Sequence, residues 1–156
     1  MFLETFIVPF RAVPPAPRIS DPEEVKKKYR YWRIRMMYGT FIGYAILYFC
    51  RKNISIALPA ISMDLGYSNL QLGLFGSTLY ITYGIGRFVN GVFADKANPR
   101  YFMAASLLLS ALMNLCFGLS SAFWSLAIFW GLNGWVQSMG FPPCAKVLAN
   151  WYSLSE

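Results

Sequence analysis

The stretch MMYGTFIGYAILYFCRKNISIALPAI, residues 36–61, decides how this chain is read. As a helix rising about 1.5 Å per residue it is long enough to cross about 30 Å of hydrocarbon. Yet it carries Arg51 and Lys52 side by side, far from either polar flank. An ionisable side chain at bilayer depth costs about 2.5–3.5 kcal/mol on insertion scales, so such residues face a bundle interior or a water-filled path. The pair marks a membrane protein with something to bind.

Three further apolar segments follow, at 70–93, 101–119 and 123–148, which predicts an all-α membrane protein with four transmembrane helices. A composition of 56% hydrophobic and 13% charged residues agrees with that class. The net charge of +7 does not point to nucleic acid, because eight of the fourteen basic residues lie within 11–35, ahead of the first span. They fit the positive-inside rule, with both chain ends on the cytoplasmic side. Residues 1–35 are read as a basic cytoplasmic tail and 36–156 as the membrane domain.

Within the tail, Ser20, Asp21 and Pro22 predict the start of a short interfacial helix over 23–35. Its Lys26, Lys27, Lys28, Arg30, Arg33 and Arg35 would meet anionic lipid headgroups, with Tyr29, Tyr31 and Trp32 as interface aromatics. Phe2, Leu3, Phe6, Ile7 and Phe10 suit a looser contact with the same surface. Glu4, standing where a secretory leader has basic residues, argues against a cleaved signal.

Enzyme chemistry has little to stand on. There is no histidine, and Cys50, Cys116 and Cys144 fall in apolar segments without metal-ligand or disulfide spacing. The expectation is no catalysis, no metal and no cofactor. What remains is a set of polar stripes. Tyr44, Tyr48, Arg51 and Ser55 recur at helical spacing on one face of the first span, whereas Lys52 lies about 100° further round. Lys52 is either a ligand or a packing partner on this spacing. Tyr80, Tyr83, Arg87 and Asn90 form a second cationic stripe, and Asn133, Gln137 and Phe141 a third that ends at Pro142 and Pro143. Those prolines predict a kink, beside a pathway or as plain curvature. Gly39 with Gly43, and Gly134 with Ser138, predict close helix contacts.

Aspartate and glutamate are absent from the spans, so no intramembrane proton or sodium site is visible, and the cations call for an anionic substrate. A phosphate monoester suits them, with a charge of about −1.5 to −2 and three acceptor oxygens for a planar guanidinium. Between the second and third spans stands Gly91-x-x-x-Asp95-Lys96-x-Asn98-Pro99-Arg100. There Asn98 can cap the third helix, Pro99 can open it, and Asp95 can pair with nearby cations at a cytoplasmic gate.

That loop resembles the G-x-x-x-D-[RK] motif of the major facilitator superfamily. Gly43-Tyr44-Ala45 with Tyr48, Arg51-Lys52-Asn53, Tyr83-Gly84 with Arg87-Phe88, and Gly134-Trp135-x-Gln137-x-x-Gly140-x-Pro142-Pro143-Cys144 further resemble its organophosphate:phosphate antiporters. The resemblance runs from about residue 29 to 156 and covers four of that family's twelve helices. It implies part of the amino-terminal bundle of a major facilitator fold in a bacterial inner membrane, exchanging a phosphate ester such as a sugar phosphate or glycerol 3-phosphate for inorganic phosphate by alternating access. It also implies a carboxyl-terminal half as partner. By it Arg51 grips phosphate, Tyr44 and Tyr48 line the pocket, Gln137 and Phe141 border it, and Arg87, Tyr83 and Lys52 complete the substrate-binding set. Gly91, Asp95, Lys96 and Arg100 form the gate motif. Arg87 stands where the family usually has lysine, Gly86 where it has serine, Ser138 where glycine is frequent and Phe141 where tryptophan is. Two alternatives stay open: a transporter-like sensor of external hexose phosphate that signals to a membrane kinase, and an inactive truncated fragment.

Overall fold

A computed structural model describes residues 17–152. The interfacial contact expected of Phe2 to Phe10 lies outside them. The described chain is helical throughout, in the order α1 Pro22–Leu65, α2 Asn69–Lys96, α3 Pro99–Gly118, α4 Phe123–Gln137 and α5 Phe141–Trp151. By length and composition α1 and α3 can each cross a membrane. With 28 residues α2 is also long enough, though glycine, threonine and tyrosine dilute its hydropathy. The fourth span is shared between α4 and α5.

The helix ends follow their capping chemistry. Asp21 Oδ1 accepts from Glu23 N at 3.1 Å with Pro22 behind it, opening α1 as the sequence predicts. Ser68 and Gln71 form a reciprocal capping box at α2. At α3 Asn98 Oδ1 accepts from Arg100 N at 3.1 Å beside Pro99, again as expected. Gly66, at φ 67, closes α1 in the left-handed region, where a side chain would clash with its own backbone.

Two expected boundaries are corrected. The basic helix does not end at 35 before a separate span; both belong to one 44-residue helix about 66 Å long. Residues 30–38 are arginine, aromatics, isoleucine and methionine, with no cap or breaker to stop the ladder. Conversely, the span expected over 123–148 is not continuous. It breaks at 138–140, ahead of Pro142 and Pro143, which then occupy the first turn of α5 where no amide donor is required.

The tightest packing is α2 against α4, with α3 against the other side of α4 and α1 lying across α3 and α5. Glycine makes the α2–α4 approach possible. A Cβ on Gly134 would run into Thr82 Oγ1 and the Leu79 carbonyl, and one on Gly86 into Ser138 Oγ. Thus Gly134 and Ser138 do form a contact face, whereas Gly39, expected to pair with Gly43, meets nothing. Phe75, Leu79, Phe117, Leu126 and Trp130 fill one end of the bundle, and Ala94, Ala97 and Phe102 the other. Between them lies a buried polar layer of Asn90, Ser106, Ser110, Asn133, Gln137 and Ser138.

That layer braces the break, adding side-chain donors to carbonyls that already accept from Ser138 N at 3.2 Å and Met139 N at 3.1 Å. Asn90 Nδ2 donates to the Trp135 carbonyl at 3.2 Å and to Ser138 Oγ at 2.6 Å. Ser106 Oγ donates to the Val136 carbonyl at 2.9 Å. The joint is therefore held from α2 and from α3.

Beyond the span, the far end of α1 is fastened to the end of α5. Tyr29 Oη donates to the Trp151 carbonyl at 2.7 Å and its ring stacks on Trp151 at 5.6 Å. The Arg33 guanidinium lies 4.4 Å from the centre of the Tyr152 ring.

Candidate functional site

Half-way along the bundle, Arg51 of α1 reaches α4 and donates from Nε to Gln137 Oε1 at 2.8 Å. Its guanidinium carbon lies 4.3 Å from the centre of the Tyr83 ring and 5.1 Å from that of Tyr48. Aromatic faces stabilise a cation by about 0.5–2 kcal/mol each without neutralising it. Tyr44 stands edge-on to Tyr48 at 5.4 Å and to Phe141 at 6.3 Å. Arg87 lays its guanidinium over the Phe141 ring at 4.0 Å. The ring contacts thus run from Arg51 through the tyrosines to Phe141 and Arg87. Seven of the residues singled out in the sequence, Tyr44, Tyr48, Arg51, Tyr83, Arg87, Gln137 and Phe141, meet here from α1, α2, α4 and α5.

Lys52 does not join them. Its side chain is exposed and, with Arg51, Ser55, Pro59, Asn69, Gly73 and Tyr80, lines a cleft of about 720 Å³ between α1 and α2. It stands one step out from Arg51 on that cleft. The second stripe also divides: Tyr83 and Arg87 face the aromatic cluster, Tyr80 the cleft, and Asn90 the α4 joint.

Behind Gln137 the polar layer continues. Its Nε2 donates to Ser110 Oγ at 3.1 Å and to Asn133 Oδ1 at 3.2 Å, and Ser110 Oγ donates to Asn133 Oδ1 at 2.7 Å. Asn133 Nδ2 is buried and has no hydrogen-bond partner among the described residues. Among the described residues the ion pair is Lys28 with Glu24 on the α1 extension, so neither Arg51 nor Arg87 is matched by a carboxylate.

At the carboxyl end of α2 the residues of the expected gate motif, Asp95, Lys96 and Arg100, are exposed, with Gly91 half-buried one turn before them. The expected pairing of Asp95 with a local cation is not formed among the described residues. Instead Lys146 of α5 donates to the carbonyls of Ala94 at 3.2 Å, Asp95 at 2.8 Å and Ala97 at 3.2 Å. A lysine so placed satisfies the unpaired end of α2 and its dipole together. Its signal in the sequence is a lone cation in the last apolar segment, 123–148. Lys146→Met should release this loop, raising amide exchange over 95–98 about tenfold by hydrogen–deuterium exchange, since a charged hydrogen bond is worth about 1.5–3 kcal/mol.

Membrane-length helices around a half-buried cationic centre with no carboxylate partner among the described residues define a polytopic helical membrane protein with a buried charged site. The chain belongs to the Major Facilitator Superfamily, whose pattern matches residues 40–156. It is therefore a membrane protein and not an enzyme. It is similar to the probable hexose phosphate transport protein of Chlamydia muridarum (strain MoPn / Nigg), at 56% identity over 138 residues that make up 88% of this chain and 30% of that protein. It is 39% identical over 151 residues to the membrane sensor protein UhpC of Escherichia coli (strain K12), covering 96% of this chain and 34% of that one. With the glycerol-3-phosphate transporter of Bacillus subtilis (strain 168) it shares 40% identity over 148 residues, 91% of this chain and 33% of that one. The chain spans about a third of the length of the curated relatives it matches.

Proposed function

We propose that these helices form the amino-terminal half of the site of a carrier that exchanges a phosphate ester for inorganic phosphate by alternating access. One observation carries the reading: Arg51 is held at mid-bundle by Gln137 and two tyrosine rings with no carboxylate to neutralise it. An anion completes that charge, and the names of the relatives point to phosphorylated substrates. Obligate exchange follows from electrostatics, because closing around an empty cationic pocket is costly whereas an occupied one is close to neutral. Tyr44, Tyr48, Tyr83, Gln137 and Phe141 would line the site, Arg87 would supply a second cation, and Lys52 would meet the anion on its way in. The remaining helices of the carrier would supply the opposing wall. The protein would sit in a bacterial inner membrane with its amino terminus cytoplasmic and Arg33 and Arg35 near anionic headgroups.

The test is exchange in proteoliposomes holding the full-length gene product, with labelled inorganic phosphate inside and a hexose phosphate outside. Efflux that requires the external ester supports the carrier. Binding of the ester without flux would overturn it in favour of a second reading, a sensor that signals to a membrane kinase, which the 39% identity to a membrane sensor protein favours.

A further inference from the structure

We infer that Ser110 of α3 and Asn133 of α4 are positioning residues for Arg51, acting through the side-chain amide of Gln137 and touching no substrate themselves. The inference rests on the anion-binding reading of Arg51 given above.

A glutamine amide can be turned over at little cost, exchanging its carbonyl for its amino group. At Gln137 only one orientation serves Arg51. With Oε1 forward it accepts from Arg51 Nε; turned over, it would present N–H groups to a cation that has nothing to accept with. In the orientation that serves Arg51, Ser110 and Asn133 hold the amide from behind. The Ser110 hydroxyl spends its proton on Asn133 Oδ1 at 2.7 Å, so its oxygen faces Gln137 as an acceptor. Asn133 Oδ1 faces Gln137 as a second acceptor at 3.2 Å. The two acceptors match Nε2 on that side while Oε1 meets the arginine.

Burial makes the choice strict. Ser110 and Asn133 are 0% exposed and Gln137 1%, so no bulk water can substitute for either acceptor. Tying Nε to Gln137 fixes the plane of the guanidinium and frees its two terminal nitrogens to present a fork to an anion.

The experiment measures inorganic phosphate binding calorimetrically with the full-length gene product in lipid nanodiscs. Ser110→Ala should weaken binding about tenfold, and Ser110→Thr, which keeps the hydroxyl, should stay within about threefold of the parent. Gln137→Leu should weaken binding as Ser110→Ala does, and adding Ser110→Ala to it should change nothing further, since the serine acts only through that amide. A Ser110→Ala protein that is folded and binds phosphate normally would overturn the inference, as would a loss that adds in full on the Gln137→Leu background. If Ser110→Ala does not fold, Asn133→Leu removes the other acceptor together with the stranded donor, and the same two comparisons decide. Absence of phosphate binding by the parent protein would overturn the anion-binding reading itself, and the relay with it.

Discussion

Arg51→Lys should lower phosphate exchange by at least about 100-fold while the protein still inserts and folds. The charge is retained, so the effect isolates geometry. Arg51 uses Nε for Gln137 and keeps its terminal nitrogens for a ligand; an ammonium is a single point and cannot hold Gln137 Oε1 and grip two phosphate oxygens in one plane. Each charge-assisted hydrogen bond lost is worth about 1.5–3 kcal/mol, and two of them exceed the 2.7 kcal/mol that corresponds to about 100-fold. Exchange assayed in proteoliposomes with matched protein content checks this. Activity within a few-fold of the parent would show that only the charge matters there and would remove the reason for the Gln137 contact.

Gly134→Val is expected to be the most damaging single change to the fold. Its Cβ would collide with Thr82 Oγ1, which could turn away, and with the backbone carbonyl of Leu79, which could not. Relief requires α4 to back off α2 along the tightest seam in the bundle, pulling Asn90 from the Trp135 carbonyl and Ser138. Overpacking alone costs about 1–3 kcal/mol; with a buried amide stranded as well, a fall of about 10 °C in the unfolding midpoint in detergent is expected. Gly39→Val, which meets no neighbour, is the control and should melt like the parent.

The contrast between these two glycines shows how far the sequence could be read. Both stand in small-xxx-small pairs, and nothing in the spacing says which members have a helix opposite them: Gly43 lies against Met103 of α3, whereas Gly39 does not. The caps were different. Asp21 and Asn98 act on amides two residues away, so proximity in sequence is enough to find them. The same locality made the α1 polar face legible, because Tyr44, Tyr48 and Arg51 share a face by helical period alone. Lys52 could not be settled that way: whether a side chain 100° round meets a cleft or a neighbour depends on where α2 lies. Ser110 and Lys146 work across 23 to 52 residues of sequence, and their partners are visible only once the helices are packed. The missing boundary at residue 35 has another cause. A change from basic to apolar composition marks a change of solvent, not a change of backbone, and a helix passes through it without a break.

That unbroken passage gives α1 the properties of a lever. Lys26 stands 25 residues from Arg51, about 38 Å along a stiff axis. A tilt of about five degrees pivoting at Arg51 would swing the far end by about 3 Å, more than half of the 5.4 Å pitch of a helical turn. Tyr29 and Arg33 tie that arm to Trp151 and Tyr152, so the swing would be delivered to the end of α5 instead of being lost in solvent. A displacement too small to be noticed at the centre of the membrane would thus be read at its edge as a shift comparable to the width of a side chain.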